Sequence, residues 1–319
     1  MKYIISYHNF NESKGISDSC EIVLYKIWSK IENDIINSIS NDIVFDINEL
    51  DFKCKNIILK YNISKGEDNI CNGLTILNNS KIIDNILNDI TINIDIIVND
   101  MDDEFIYYIK SVILHELLHI FQHYNIRINN RFRPESFSIG SILPQLKQNV
   151  SCKYSKYLLD VLYYSLSHEL SAQLHQYYLY KISGREYKRI NFIIDLLSNF
   201  KIIDLSEEDD KEITYIRNHV VNSIKYLATN KKYLKNIDSS IWSTGDNVNF
   251  LKNIKNMIDY KLKWIHKKIK LINSKIEENK TIRYDQTNSL PTNWEYYDIL
   301  QRFDFIKENL NDCKIKFFI

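Results

Sequence analysis

The stretch from residue 90 to residue 124 constrains the fold most, because its hydrophobic period changes from two to about 3.6 residues. Between residues 90 and 96, isoleucines alternate with polar residues, which predicts a strand that covers a core on one face. Helical spacing follows from about residue 105 to residue 124, and either Asp100 or Asp102 is expected to cap its start. A half-buried strand therefore leads directly into a helix.

The elements on either side of this stretch change along the chain from strands to helices. Strands are predicted from short β-branched runs at 43–47, 54–62 and 74–77. Helices are predicted at 21–39, at about 154–183 with a stop at Gly184, at 208–229, from 251 onwards and at 293–311. The pattern predicts an α+β fold, with a small mixed sheet and helices first and a mostly helical C-terminal half.

Two local signals refine this division. Pro134, Gly140 and Pro144 fall between residues 126 and 149, and this long connection is predicted to be a functional loop or lid. Ser206 is followed three residues later by an aspartate, which is typical of a capping box at the start of a helix.

Charge and cysteine content limit the classes of partner. Lysine plus arginine equals aspartate plus glutamate at 41 each, so no net positive charge attracts nucleic acid or an anionic membrane. We therefore expect neither as a partner. The five cysteines are odd in number and form no CxxC pair, which fits neither a disulfide framework nor a thiolate zinc site. The N-terminal segment is too polar for a signal peptide, so a cytoplasmic location is expected.

The segment HELLHIFQH is the strongest chemical signal in the chain. His115 and His119 lie one helical turn apart, so both imidazoles can reach one metal ion. Two imidazoles, one further protein ligand and a water form the open site of hydrolytic zinc enzymes, which predicts Zn²⁺ as the cofactor. Glu116 follows about 100° round the helix, where it would act as general base. Gln122 and His123 are expected to lie near the ligands without binding the metal.

A second cluster, SHELSAQLHQ, offers candidates for the third ligand. Glu169 is the preferred one, because Ala172 is a small residue one turn away that would let the two helices lie close together. His168 and His175 are the alternatives. They share a face of the helix that does not include Glu169, so the metal can be bound either by Glu169 or by one of these histidines, but not by both faces. Candidates for an oxyanion donor are Tyr163, Tyr164, Tyr177, Tyr178, His175, Arg127, Arg131 and Arg133.

These motifs resemble the zincin metallopeptidases, and among them the gluzincin-like branch, in which HExxH is completed by a glutamate on a later helix, often as ExxA. The resemblance assigns His115, His119 and Glu169 as zinc ligands and Glu116 as the catalytic base. It implies that strand 90–98 is the edge strand that borders the substrate cleft. The HELLHxxQ run and the second cluster also resemble predicted zincin-type peptidases of bacteriophages, which adds a virion as an alternative location.

The resemblance implies a catalytic domain over residues 1–184, followed by a helical region over residues 185–319. The predicted function is a zinc-dependent metallopeptidase that hydrolyses peptide or protein substrates. One alternative is a zincin-shaped structural or interaction protein, such as a phage virion component, whose metal site is non-catalytic or lost and whose helical half contacts partner proteins. Another is a helical binding module in which the histidines are incidental.

Overall fold

The computed structural model describes residues 23–49, 52–77, 81–124, 134–182, 184–229, 245–286 and 314–318. The chain divides into two compact units, residues 1–124 with 291–319 and residues 125–290. The boundary between the structural units thus follows residue 124. The boundary predicted from the sequence, between a catalytic domain and a helical region, follows residue 184. That division into a catalytic and a helical part stays a prediction. The α+β class is confirmed, because a mixed sheet precedes a mostly helical part.

Within the described residues, the first unit contains two helices and one six-stranded sheet. Its elements are α1 (23–36), β1 (Asn41–Glu49), β2 (Phe52–Lys65), β3 (Ile70–Ile76), β4 (Lys81–Ile83), β5 (Ile86–Val98), α2 (Asp103–Tyr124) and β6 (Lys314–Phe318). The strand order is β3-β5-β2-β1-β6, and β4 pairs with β5 beyond the end of β3. β2 and β5 are parallel and the other pairs are antiparallel, so the sheet is mixed.

The alternation predicted in β5 is confirmed. Ile90, Ile92, Ile94 and Ile96 are all buried, and they lie on one face of the sheet. Helix α1 contacts the sheet through the Tyr61 hydroxyl, which donates to Asp34 at 2.6 Å. This hydrogen bond joins α1 to the sheet, whose buried face is lined by the isoleucines of β5.

The predicted role of strand 90–98 as an edge strand is wrong. β5 pairs with β2 on one side and with β3 and β4 on the other, so it lies inside the sheet. In the described part of the chain, β3 is the terminal strand of that side. Sequence periodicity shows which face of a strand is buried, but it does not show whether the strand is paired on one side or on two.

In its described residues, the regular elements of the second unit are all helices. Its helices are α3 (Pro134–Gln148), α4 (Lys153–Ser165), α5 (Ser167–Ile182), α6 (Lys188–Ser198), α7 (Glu207–Ala228) and α8 (Asn247–Gln286). The predicted helix start at Ser206 is confirmed, since the Ser206 hydroxyl accepts from the backbone N–H of Asp209. The Asp209 carboxylate accepts from the Ser206 hydroxyl, whereas in a capping box it would accept from the Ser206 backbone N–H. Gly184 has φ 75°, and the N–H of Arg185 bonds to Tyr180, which confirms the predicted helix stop.

The predicted loop between residues 126 and 149 is wrong where it is described, because α3 occupies most of it. Ile139, Leu143, Leu146 and Val150 are buried at steps of four, three and four, so an apolar stripe outweighs the cost of Pro144. The proline sits on the exposed side of the helix. Residues 125–133, with the three arginines, lie outside the described residues.

The long helix predicted at 154–183 is two helices. Leu166 has extended backbone angles, φ −63° and ψ 136°, and it ends α4 immediately before α5 begins. Leu166 itself is buried, so the break occurs in the core and turns the chain just before His168 and Glu169. Nothing in the local sequence signals it, because no glycine or proline is present there.

Three further findings concern the ends and surfaces of the chain. Strand β6 pairs antiparallel with β1, a pairing that the sequence did not predict. The helix predicted at 293–311 lies outside the described residues. Among the described helices, none combines the length and the apolar character that a bilayer crossing requires.

Candidate metal centre

Helix α2 holds three of the predicted site residues in a buried segment. Its start is capped by Asp102, whose carboxylate accepts from the N–H of Phe105 at 2.7 Å, so Asp102 is the cap rather than Asp100. Every residue from 111 to 122 is buried. His115, Glu116 and His119 are therefore polar side chains in a buried and mostly apolar segment, an arrangement that requires partners for each of them.

The two imidazoles lie side by side. The ring centroids of His115 and His119 are 4.5 Å apart and the rings are nearly perpendicular. Nδ1 of His119 lies 3.0 Å from Oε1 of Gln122, an oxygen that can only accept a hydrogen bond. Nδ1 therefore carries the proton in the neutral ring, and Nε2 carries the lone pair that a metal ion needs. Gln122 thus lies next to a motif histidine, as predicted.

The carboxylate of Glu116 lies against strand β3. The Thr75 hydroxyl donates to Oε2 of Glu116 at 2.6 Å. A Cβ atom added at Gly73 would lie 2.6 Å from Oε1 of the same carboxylate, so glycine leaves the space that Glu116 fills. Neither residue was predicted from the sequence. They are about forty positions away from Glu116, and no periodic signal indicates which strand residue faces a given helix residue.

A third small residue, Cys71, lies on the same strand. Its thiol is buried, and burial raises the pKa of Cys71 to about 12, with further contributions from the negative charges of Glu116 and Asp95. The thiol is consequently neutral near pH 7 and is a poor metal ligand in that form.

Glu169 lies in the first turn of α5 and is buried. Its Oε1 is 3.4 Å from Nε2 of His168, and Nδ1 of His168 is 2.8 Å from the Ser136 hydroxyl. The His168 ring also stacks on Phe137, with centroids 4.1 Å apart. Gly140 leaves room for this ring, since a Cβ there would be 3.0 Å from Cε1 of His168. Helix α3, predicted as a loop, thus supports the residue next to Glu169.

The side chains of His115, His119 and Glu169 form a buried group that could hold a metal ion. One ligand atom from each residue lies within 4.8 Å of the other two. A tetrahedral zinc ion with bonds of about 2.0–2.1 Å holds its ligand atoms about 3.3 Å apart, which lies within this limit. Two imidazoles and one carboxylate are also a donor set of catalytic zinc sites. The residues present therefore fit the predicted ion.

The alternative ligands do not belong to this group. His168 is engaged with Ser136 and lies next to Glu169, so it contacts the carboxylate rather than replacing it. Nδ1 of His175 is 2.7 Å from the backbone carbonyl of Ser171, and its ring is half-buried. Among the predicted oxyanion donors, Tyr177 donates its hydroxyl to Asn273 at 2.9 Å.

Comparisons of the chain with protein-family models, with curated proteins and with solved structures find no significant match.

Proposed function

We propose that the chain is a zinc-dependent metallopeptidase of the zincin type. The observation that carries the proposal is a buried carboxylate, Glu116, on the same helix as two buried imidazoles one turn apart. The nearby carboxylate of Glu169 completes a donor set of two nitrogens and one oxygen. A purely structural metal site has no use for a second carboxylate beside the ligands, so Glu116 favours catalysis.

The chain's own residues would divide the work in the following way. His115, His119 and Glu169 would hold the zinc ion, which when bound lowers the pKa of water to about 7 and polarises a carbonyl group. Glu116 would accept the proton of the attacking water and pass it to the leaving amine. Gln122 would keep the His119 ring in the tautomer and orientation that ligation needs.

Strand β3 supports a peptide as the substrate. As the terminal strand on its side of the described sheet, it offers backbone groups to which an extended peptide can pair. Gly73 and Thr75 of the same strand contact Glu116, so a peptide paired with β3 would pass close to the general base. The role that the sequence assigned to strand 90–98 is thus proposed for residues 70–76.

The test is hydrolysis of a fluorogenic protein and of a random peptide library by the zinc-loaded protein. Glu116→Gln should lower the rate about 10²–10⁴-fold and keep one zinc per chain, because the amide cannot accept the proton. Glu104→Gln is the matched control, since Glu104 is exposed in the first turn of the same helix. Full activity of Glu116→Gln would sink the proposed base. A zinc-loaded wild type that cleaves nothing would favour a structural metal site instead.

A further inference from the structure

Strand β3 presents small side chains where α2 presents a long one. Cys71, Gly73 and Thr75 alternate along the strand and therefore share one face. Gly73 and Thr75 on this face contact the Glu116 side chain, whereas Leu74 between them is exposed on the other face. The strand thus provides space for the Glu116 carboxylate at Gly73 and a hydrogen-bond donor to it at Thr75.

The hydroxyl of Thr75 has one proton and two oxygens of Glu116 within reach. Oε2 is 2.6 Å away and the backbone carbonyl is 3.2 Å away. The shorter contact, to a charged acceptor, is the stronger one, and it fixes the direction of the carboxylate. The longer contact ties the same hydroxyl to the helix backbone at the same residue.

The missing Cβ of Gly73 acts together with this hydrogen bond. An added Cβ would lie 2.6 Å from Oε1, 2.7 Å from Cγ and 2.9 Å from Cδ of Glu116. Atoms in these positions cannot coexist, so any larger residue at position 73 would force the Glu116 side chain to move. All three conflicting atoms belong to the Glu116 side chain, and none is a backbone atom.

We propose that Gly73 and Thr75 are positioning residues for Glu116, which hold its carboxylate in the orientation that a general base needs. The inference rests on the proposed function, and it adds two residues that no zinc-binding motif contains. A base that is misplaced by about 1 Å can lose about 10²-fold in rate. The two residues would therefore affect the rate of the chemical step rather than metal binding.

Three variants separate positioning from general damage. Thr75→Val removes the hydroxyl and keeps the shape, Thr75→Ser keeps the hydroxyl, and Gly73→Ala adds the conflicting Cβ. Thr91→Val on β5 makes the same chemical change on the neighbouring strand and is the control. We expect Thr75→Val and Gly73→Ala to lower kcat about 10–100-fold with KM and zinc content unchanged. Thr75→Ser should stay within a few-fold of wild type.

A second readout does not depend on activity. The urea midpoint of the metal-free protein is measured for Thr75→Val in the wild-type background and in a Glu116→Met background. If the hydroxyl holds the carboxylate, Thr75→Val lowers the midpoint in the first background and has little effect in the second. Equal shifts in both backgrounds would overturn the inference.

The activity outcomes distinguish the two proposals. An active wild type with a full-rate Thr75→Val variant would overturn the positioning role and leave the peptidase proposal in place. An inactive wild type would overturn the peptidase proposal and the positioning role with it. A Thr75→Val variant that loses zinc would also overturn the inference, because the residue would then act on the metal ligands.

Discussion

Nδ1 of His119 lies 3.0 Å from the side-chain oxygen of Gln122, one turn further along the same buried helix. Because that oxygen accepts the Nδ1 proton, the opposite ring nitrogen is the one that can bind a metal ion. A feature of the sequence that lies outside the HExxH motif therefore determines which nitrogen of a motif histidine is available.

Loss of this acceptor should weaken zinc binding. Gln122→Met keeps the length of the side chain and removes the oxygen, and we expect about a 10–100-fold loss of zinc affinity. Gln122→Glu retains an acceptor and should bind zinc at least as tightly as wild type. Competition with a chromogenic chelator measures both. Gln148→Met, at an exposed position of α3, is the control, and equal affinities of Gln122→Met and wild type would contradict the tautomer argument.

The histidines of α5 should differ in their effects. His168→Phe can keep the stacking on Phe137 but removes the nitrogen beside Glu169, so about a 10-fold loss of zinc affinity is expected. His175→Phe should leave the affinity unchanged, because His175 bonds to the backbone of its own helix. The same chelator competition decides. A loss of zinc in His175→Phe would make that residue the third ligand.

The features that depend on local sequence were predictable. The HExxH helix, its acidic cap, the Ser206 cap and the Gly184 stop all arise within a few residues of chain. Such signals act through neighbouring backbone groups, so they can be recognised without knowledge of the fold. Glu169 was predicted as the third zinc ligand from its neighbour Ala172 and from a family resemblance.

The features that were missed depend on contacts between distant segments. The hydrogen bond between Thr75 and Glu116 depends on the position of β3 in the sheet. The pairing of β6 with β1 joins segments that are more than 250 residues apart in the sequence. The break at Leu166 is buried and has no glycine or proline to signal it. In α3 a regular apolar stripe outweighs Pro144 and Gly140, the two residues that favoured a loop.

Glu212 should make the helical unit sensitive to acid. Its carboxylate accepts from the N–H and hydroxyl of Ser151 and from the N–H of Cys152, and so caps α4 from another helix. Burial alone would raise the pKa of Glu212, but these hydrogen bonds outweigh it and lower the pKa to about 2. The ordinary value is 4.5, so the stabilisation is complete above that pH and is lost as the pH falls towards 2.

Substitution of Glu212 tests this dependence. Glu212→Gln should lower the free energy of unfolding at pH 7 by about 1 kcal/mol, as for loss of a helix cap. The variant should also lose less free energy of unfolding than wild type between pH 4.5 and 2, which urea titrations across that range would measure. Glu208→Gln serves as the control, because Glu208 is exposed in the first turn of α7, the helix that contains Glu212. If Glu212→Gln loses as much free energy of unfolding in acid as wild type, Glu212 is not a source of the acid sensitivity.

The most direct test of the metal centre is the zinc content of the purified protein, measured by elemental mass spectrometry beside Glu169→Gln. Glu186→Gln, an exposed position just after the same helix, is the control. The three-ligand site predicts about one zinc per chain in wild type and control and a depleted content in Glu169→Gln. Wild type without zinc after purification free of chelators would contradict the metal centre, and one zinc held equally by Glu169→Gln would contradict Glu169 as the third ligand.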